Sequence, residues 1–376
     1  MSLREKANQY IKERRQRLLD GGINSIPSPF VRFRGDFLGW EQGTYYLVTS
    51  FTKGGKTQLV SHLLFDALLY CYYNEKKTGV SLKVLYFHLE ETELKIMLRF
   101  QSWLLYRYTN GQVRVSPSDL KSSNNDKPLP QEVIDLLETE EIVDIIDYFE
   151  SHVIFSNETN PTGIYKFCKE YARSHGKVIM KPAKYKDEFG QLRDTEAFDF
   201  YTPDDPNEYV LPVIDTVNLL QLERGFNKKQ TIDKMSEYNI ELRDRYNQSP
   251  IVIQQQNTDN ESVESIRFNR SRPTTAGLGD SKYTSHDANI VLGIYSPFRF
   301  GLDTYLPDEH GIGYDIKKLK DHFRTIEVLV NRDGELGGII GMFFDGATCT
   351  WSELPRPGKV TEMNRVYQYA QSLQQQ

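Results

Sequence analysis

The stretch YYLVTSFTKGGKTQLVSHLLFDALLYCYY, Tyr45 to Tyr73, constrains the fold more than any other part of the chain. A run of β-forming residues ends at Gly54-Gly55-Lys56-Thr57, and a long apolar helical pattern starts there. Strand, glycine turn and helix in that order make a phosphate-binding loop. Glycines let backbone N–H groups converge on an anion at a helix start, Lys56 would reach the β- and γ-phosphate oxygens, and Thr57 would hold Mg²⁺. The pattern G-x-x-x-x-G-K-[ST] expects a glycine where this chain has Ser50. Serine is small, and the position requires a tight turn more than it requires a missing side chain. The nucleotide-binding set is therefore Ser50, Lys53, Gly54, Gly55, Lys56, Thr57 and Gln58.

The rest of the chain alternates strand and helix patterns, which predicts an α/β fold with a mostly parallel central sheet flanked by helices. Strands are expected at Tyr45 to Thr49, Lys83 to His88, Val210 to Asp215, Pro250 to Gln254, Asn289 to Ile294, Ile326 to Val330 and Gly338 to Phe344. Helices are expected at Lys56 to Tyr73, Thr92 to Tyr108, Pro161 to His175 and Lys229 to Tyr246. Residues 1–25 read as a charged amphipathic linker helix with a narrow apolar stripe, Ala7, Ile11 and Leu18, that needs a partner surface. Residues 26–355 form the main domain, with Met180 to Glu208 an inserted surface hairpin, and 356–376 a polar tail.

Three further segments supply chemistry. LEET after the strand ending at His88 offers Glu90 to orient a water, on a strand expected beside that of the loop, with Glu91 favouring the helix start. Asp215 ends the apolar run YVLPVID and would position the metal with Thr57. Pro212 in that run is expected at the strand's beginning or at a bulge, because a central strand wants every N–H. QQQ at 254–256 offers a sensor of the γ-phosphate, against the alternative that glutamines at a strand end satisfy backbone groups.

A net charge of −6 over 376 residues excludes a uniformly basic surface but not a basic channel. Hydrophobic residues at 39% and charged residues at 26% are ordinary for a soluble globular chain. Cys71, Cys168 and Cys349 have neither metal spacing nor a disulfide framework and read as small buried hydrophobes in a reducing, cytoplasmic setting.

Taken together, SFTKGGKT, FHLEET, VIDTVNLL, IVIQQQN, LGDSKYTSHDANIVLGIY and VNRDGELGGIIGMFFDGATCTW resemble, in order, the motifs of the carboxyl-terminal ATPase domain of DnaB-type replicative helicases, the RecA-like ring motors. That family tolerates a small residue at the first loop position. The resemblance implies an ATP- and Mg²⁺-dependent DNA helicase assembled as a homo-hexamer on single-stranded DNA. It implies roles for Lys56, Glu90, Asp215 and Gln255 in catalysis, and for Arg332 as a finger reaching the neighbouring subunit's nucleotide.

The ring's channel would be lined by the loop with Arg224, Lys228 and Lys229 and by the loop with Arg267, Arg270, Arg272 and Lys282. Val330 stands where the family has a finger lysine, and Gly279 where it has an arginine. No family-type amino-terminal helical domain precedes the motor, so primase binding by such a domain is not implied, although a primase or loader stays among the expected partners. A lone motor with such an insertion suits a bacteriophage system and the host cytoplasm. Two other readings remain open at this stage: a RecA-type, single-strand-dependent ATPase without unwinding, and a weakly hydrolysing loading partner.

Overall fold

The computed structural model describes residues 2–257 and 271–374. Its centre is a nine-stranded sheet. We number the strands β1 (Tyr46–Ser50), β2 (Ser81–His88), β3 (Val153–Ser156), β4 (Gly176–Lys186), β5 (Leu192–Pro203), β6 (Glu208–Asp215), β7 (Ile251–Gln255), β8 (Ile290–Tyr295), β9 (Phe323–Asn331), β10 (Ile339–Asp345) and β11 (Thr350–Glu353). The sheet order is β11-β10-β9-β8-β1-β7-β6-β2-β3; strands from β8 to β3 run parallel, and β9 to β11 add an antiparallel edge.

Successive residues of the central strands enter opposite cores, as the period of two requires. On β1, Tyr46 and Val48 pack with one core and Leu47 with the other. The amino-terminal helix α1 (Leu3–Leu19) has no buried residue, and the first core is covered by α2 (Lys56–Thr78), α3 (Glu93–Tyr108) and α4 (Glu140–His152). The second core lies under α5 (Pro161–Ser174) and α6 (Lys228–Tyr246). Among the described residues no helix is long and apolar enough to cross a membrane.

Several expectations change. Pro212 sits inside β6, neither at its start nor at a bulge, paired in register with Leu85. The Val210 carbonyl accepts from Ser249 N, so Pro212 turns its missing N–H toward the β7 side, and the register of β6 with β7 begins only after it, at Val213. The inserted hairpin starts at Gly176, ahead of Met180, and closes at Pro203. A Cβ on Gly176 would lie 2.5 Å from the Tyr201 hydroxyl, so glycine is required at this base. Finally, the segment read as a polar tail contains α7 (Val360–Leu373), whose Met363 and Ala370 are buried against Tyr314, Phe323 and Phe343.

The hairpin stands clear of the core except at its root, where Phe198 and Tyr201 pack edge-on against Tyr246. Its tip residue Phe189 is 83% exposed. Excising 177–202 with a short glycine link between the paired ends is therefore expected to keep a single cooperative unfolding transition, with stability changed by less than about 2 kcal/mol. Loss of cooperativity in a denaturant titration would show instead that the hairpin belongs to the core.

Candidate active site

The site lies where the parallel strands end. Ser50 and Gln255 are register partners, as are Asp215 and His88, so β1, β7, β6 and β2 deliver their last residues along one crevice. Glu90 does not come from the strand next to the loop strand, as expected from sequence; β7 and β6 intervene. It still reaches the same cleft of about 600 Å³, with Lys53, Gly55, Lys56, Thr57, Gln58 and Gln255.

The loop itself is held in an uncommon backbone conformation. Lys53 and Gly55 both have left-handed φ, 58° and 101°, and Gly55 caps α2, which begins at Lys56. Consecutive N–H groups turned toward one side in this way form an anion cradle at a helix start. Ser50 is fully buried and does not face the cleft, which corrects its assignment to the nucleotide-binding set. Its hydroxyl donates to the Phe51 carbonyl at 2.8 Å. A Cβ on Gly54 would come within 2.3 Å of that hydroxyl, so the serine at the first position is accommodated by glycine at the fifth.

Asp215 joins the loop to the sheet. Its carboxylate accepts from the Thr57 hydroxyl at 3.0 Å and from the Tyr86 hydroxyl at 3.0 Å, and it is 3% exposed. Burial pushes its pKa up to about 6; the two hydroxyl donors and Arg99 oppose this, and the nearby Glu90 adds to it. The two neighbouring glutamates separate cleanly. Glu91 is ion-paired with the buried Arg99, which also reaches the Ser61 hydroxyl, whereas Glu90 is exposed at the cleft without a hydrogen bond or ion pair among the described residues.

The three glutamines divide by strand period. Gln254 and Gln256 turn into the protein and serve backbone groups, Gln254 donating to the Gly279 and Ser281 carbonyls and Gln256 to Thr274. Gln255 alone of the three lines the cleft, donating to the Thr52 hydroxyl of the loop, while its N–H donates to Asn218 at 2.8 Å.

Arg324 is a site residue that sequence reasoning missed, since an arginine in the run FRTIEVLV reads as one more outward position. It is 1% exposed, with Nε donating to the Gly54 carbonyl at 3.2 Å, Nη2 to Asp321 at 2.9 Å and Nη1 to two backbone carbonyls, and its plane lies over Phe344. The antiparallel edge thus grips the phosphate loop.

Arg332 lies elsewhere. Its N–H donates to the Asn289 carbonyl and its guanidinium to that of His286, at the start of β8, whereas Ser50 pairs with Ile294 near the end of β8. At ~3.3 Å per residue the two ends are about 15 Å apart. Of the expected strand-binding residues, Arg224 and Lys282 are exposed, and Lys229 is exposed but ion-paired with Asp233 at 3.2 Å. Two depart from that role: Lys228 donates to the Leu220 carbonyl, and Arg272 is ion-paired with Glu327 at 2.7 Å, which leaves little net charge for a phosphate. Arg267 and Arg270 lie outside the described residues.

The fold was compared with known proteins. A DnaB-like replicative helicase, solved in a study of its interactions with primase, superposes with a TM-score of 0.62 over 94% of this chain and 67% of its own, at 14% identity. The chain shares the fold of that structure. A second structure, an ATPase domain, matches with a TM-score of 0.60 and 14% identity over 94% of this chain and 99% of its own. No family model matches the chain, and no curated protein matches it in sequence. The likeness to these two structures is one of fold and extends over 94% of the chain.

Arg324→Ala should free the Gly54 carbonyl and open a void against Phe344, destabilising the chain by about 2–4 kcal/mol. Arg324→Lys should not restore it, because lysine lacks the planar fork. Denaturant midpoints equal to wild type would overturn this role.

Proposed function

We propose that this chain is the ATP-driven motor of a ring-forming replicative DNA helicase, a homo-hexamer on single-stranded DNA in the cytoplasm, with residues 26–355 as the motor. The observation that carries this reading is the division of the catalytic set between the two ends of one sheet. Lys56, Thr57, Asp215, Glu90 and Gln255 converge at one end, and Arg332 is held at the other, where it serves a nucleotide if that nucleotide belongs to a neighbouring copy. A primase is a further expected partner, supported by the interaction reported for the DnaB-like neighbour.

In this reading Lys56 and the loop amides bind the β- and γ-phosphates, and Glu90 orients a water for in-line attack and accepts its proton. The hydroxyl of Thr57 and the carboxylate of Asp215 are hard oxygen donors that fit Mg²⁺. When bound, Mg²⁺ would neutralise phosphate charge. Gln255, bridging Thr52 and the Asn218 segment, reports loss of the γ-phosphate to the loops beyond β6 and β7.

ATP turnover by wild type should be stimulated by single-stranded DNA and found in a hexamer-sized species. Glu90→Gln should lose about 10²–10⁴-fold and Arg332→Ala about 10³-fold, while both still bind ATP. Turnover in a monomer indifferent to Arg332 would sink the ring motor. ATP binding without turnover in wild type would move the assignment to the loading partner.

Asp215 gives a pH signature. Its pKa is raised in the folded chain to about 6, so it is ionised above that value and must release a proton to act as a ligand below it. Affinity for Mg²⁺–nucleotide should fall as pH drops through 6, by up to about tenfold per unit, relative to Asp215→Asn, which cancels the nucleotide's own titration. A constant ratio between the two proteins from about pH 5 to 8 would contradict it.

A further inference from the structure

A second cleft, of about 540 Å³, opens beside the first turn of α6, just past the end of β7. Its walls include Tyr283 and His286 from the short helix Tyr283–Asp287, Lys282 just before it, Lys229 from the first turn of α6, Asn257 after β7, and Asp280. Tyr283 is 57% exposed, and the Lys229 ammonium sits 4.7 Å from its centroid.

The cleft is wired at both ends. Asp280 accepts from Asn218 at 2.9 Å, Asn218 accepts from the Gln255 N–H, and the Gln255 side chain donates to Thr52 in the phosphate loop. On the opposite side the His286 carbonyl accepts from Arg332. An occupant of this cleft therefore touches segments bonded to the chain's own nucleotide loop and to the candidate trans arginine.

We propose that this cleft seats one nucleotide unit of the single strand, its base stacked on the Tyr283 ring and its phosphate beside Lys282. The inference rests on the strand-binding reading above and adds a base platform to it. An exposed aromatic flanked by lysines is the arrangement by which proteins hold single strands without sequence preference, each stacked base adding to a salt-dependent phosphate term. A cleft of this size admits a base and sugar.

The test is fluorescence anisotropy of the full chain with labelled oligothymidylate and with an abasic strand of the same length, across a salt titration, with mass measured in parallel. Tyr283→Ala should weaken binding to oligothymidylate about 5- to 100-fold without changing the salt slope, and Tyr283→Phe should bind like wild type. Wild type should lose a similar factor on the abasic strand, and Tyr283→Ala should not distinguish the two strands. Lys282→Ala should instead reduce the salt slope. Equal binding of oligothymidylate by wild type and Tyr283→Ala would overturn the platform while leaving strand binding intact. An equal loss on both strands with a smaller assembly would make the cleft a subunit contact. No binding by wild type at any salt would remove the strand-binding reading and this one together.

Discussion

A carboxylate 3% exposed, held between one hydroxyl from the phosphate loop and one from β2, is the interaction on which the rest of this structure depends. Burying Asp215 there disfavours its charge, and Thr57 and Tyr86 offset part of that penalty by donating to it. The bonds fix α2 against the sheet at the point where its first turn faces the cleft. Arg324 closes the same loop from the antiparallel edge, so the phosphate cradle is gripped from both sides of β1. A loop containing left-handed Lys53 and Gly55 needs such over-determination to keep one shape.

The sheet then separates two kinds of residue. Its carboxyl ends gather the residues of the candidate cleft, and Arg332, just past the end of β9, lies beside the start of β8. Between them runs a chain of polar contacts, Thr52 to Gln255 to Asn218 to Asp280, along the ends of β7 and β6. In the proposed motor this chain carries the nucleotide's state outward, and the short helix bearing Tyr283 and His286 lies between it and Arg332.

Much of this was legible in the sequence because the signals are local. Strand, Gly-Gly-Lys-Thr and helix are contiguous, and the apolar run ending in Asp215 needs no partner to be seen. Features that depend on distant partners were not legible. Arg324 reads as a surface position until the loop carbonyl that it serves is placed beside it. The order of β2, β6, β7 and β1 follows from crossovers, not spacing, so Glu90 was expected next to the loop strand. The short strand Val153–Ser156 follows α4 without a turn residue and reads as its continuation. Helix α7 exposes a polar face, and its buried Met363 and Ala370 are too few to mark it in a polar segment. Ser50 was read as a ligand because its motif position suggested it, while its burial follows from the packing of β1 between β7 and β8.

If one copy's Arg332 completes another copy's cleft, mixing two inactive variants shows it most directly. Lys56→Ala lacks a working loop and keeps Arg332; Arg332→Ala keeps the loop. Co-assembled, they form some interfaces with both residues intact, so the account predicts that the mixture recovers DNA-stimulated ATP turnover well above the average of its two components. A mixture no more active than that average, in assemblies of wild-type size shown to contain both variants, would contradict it.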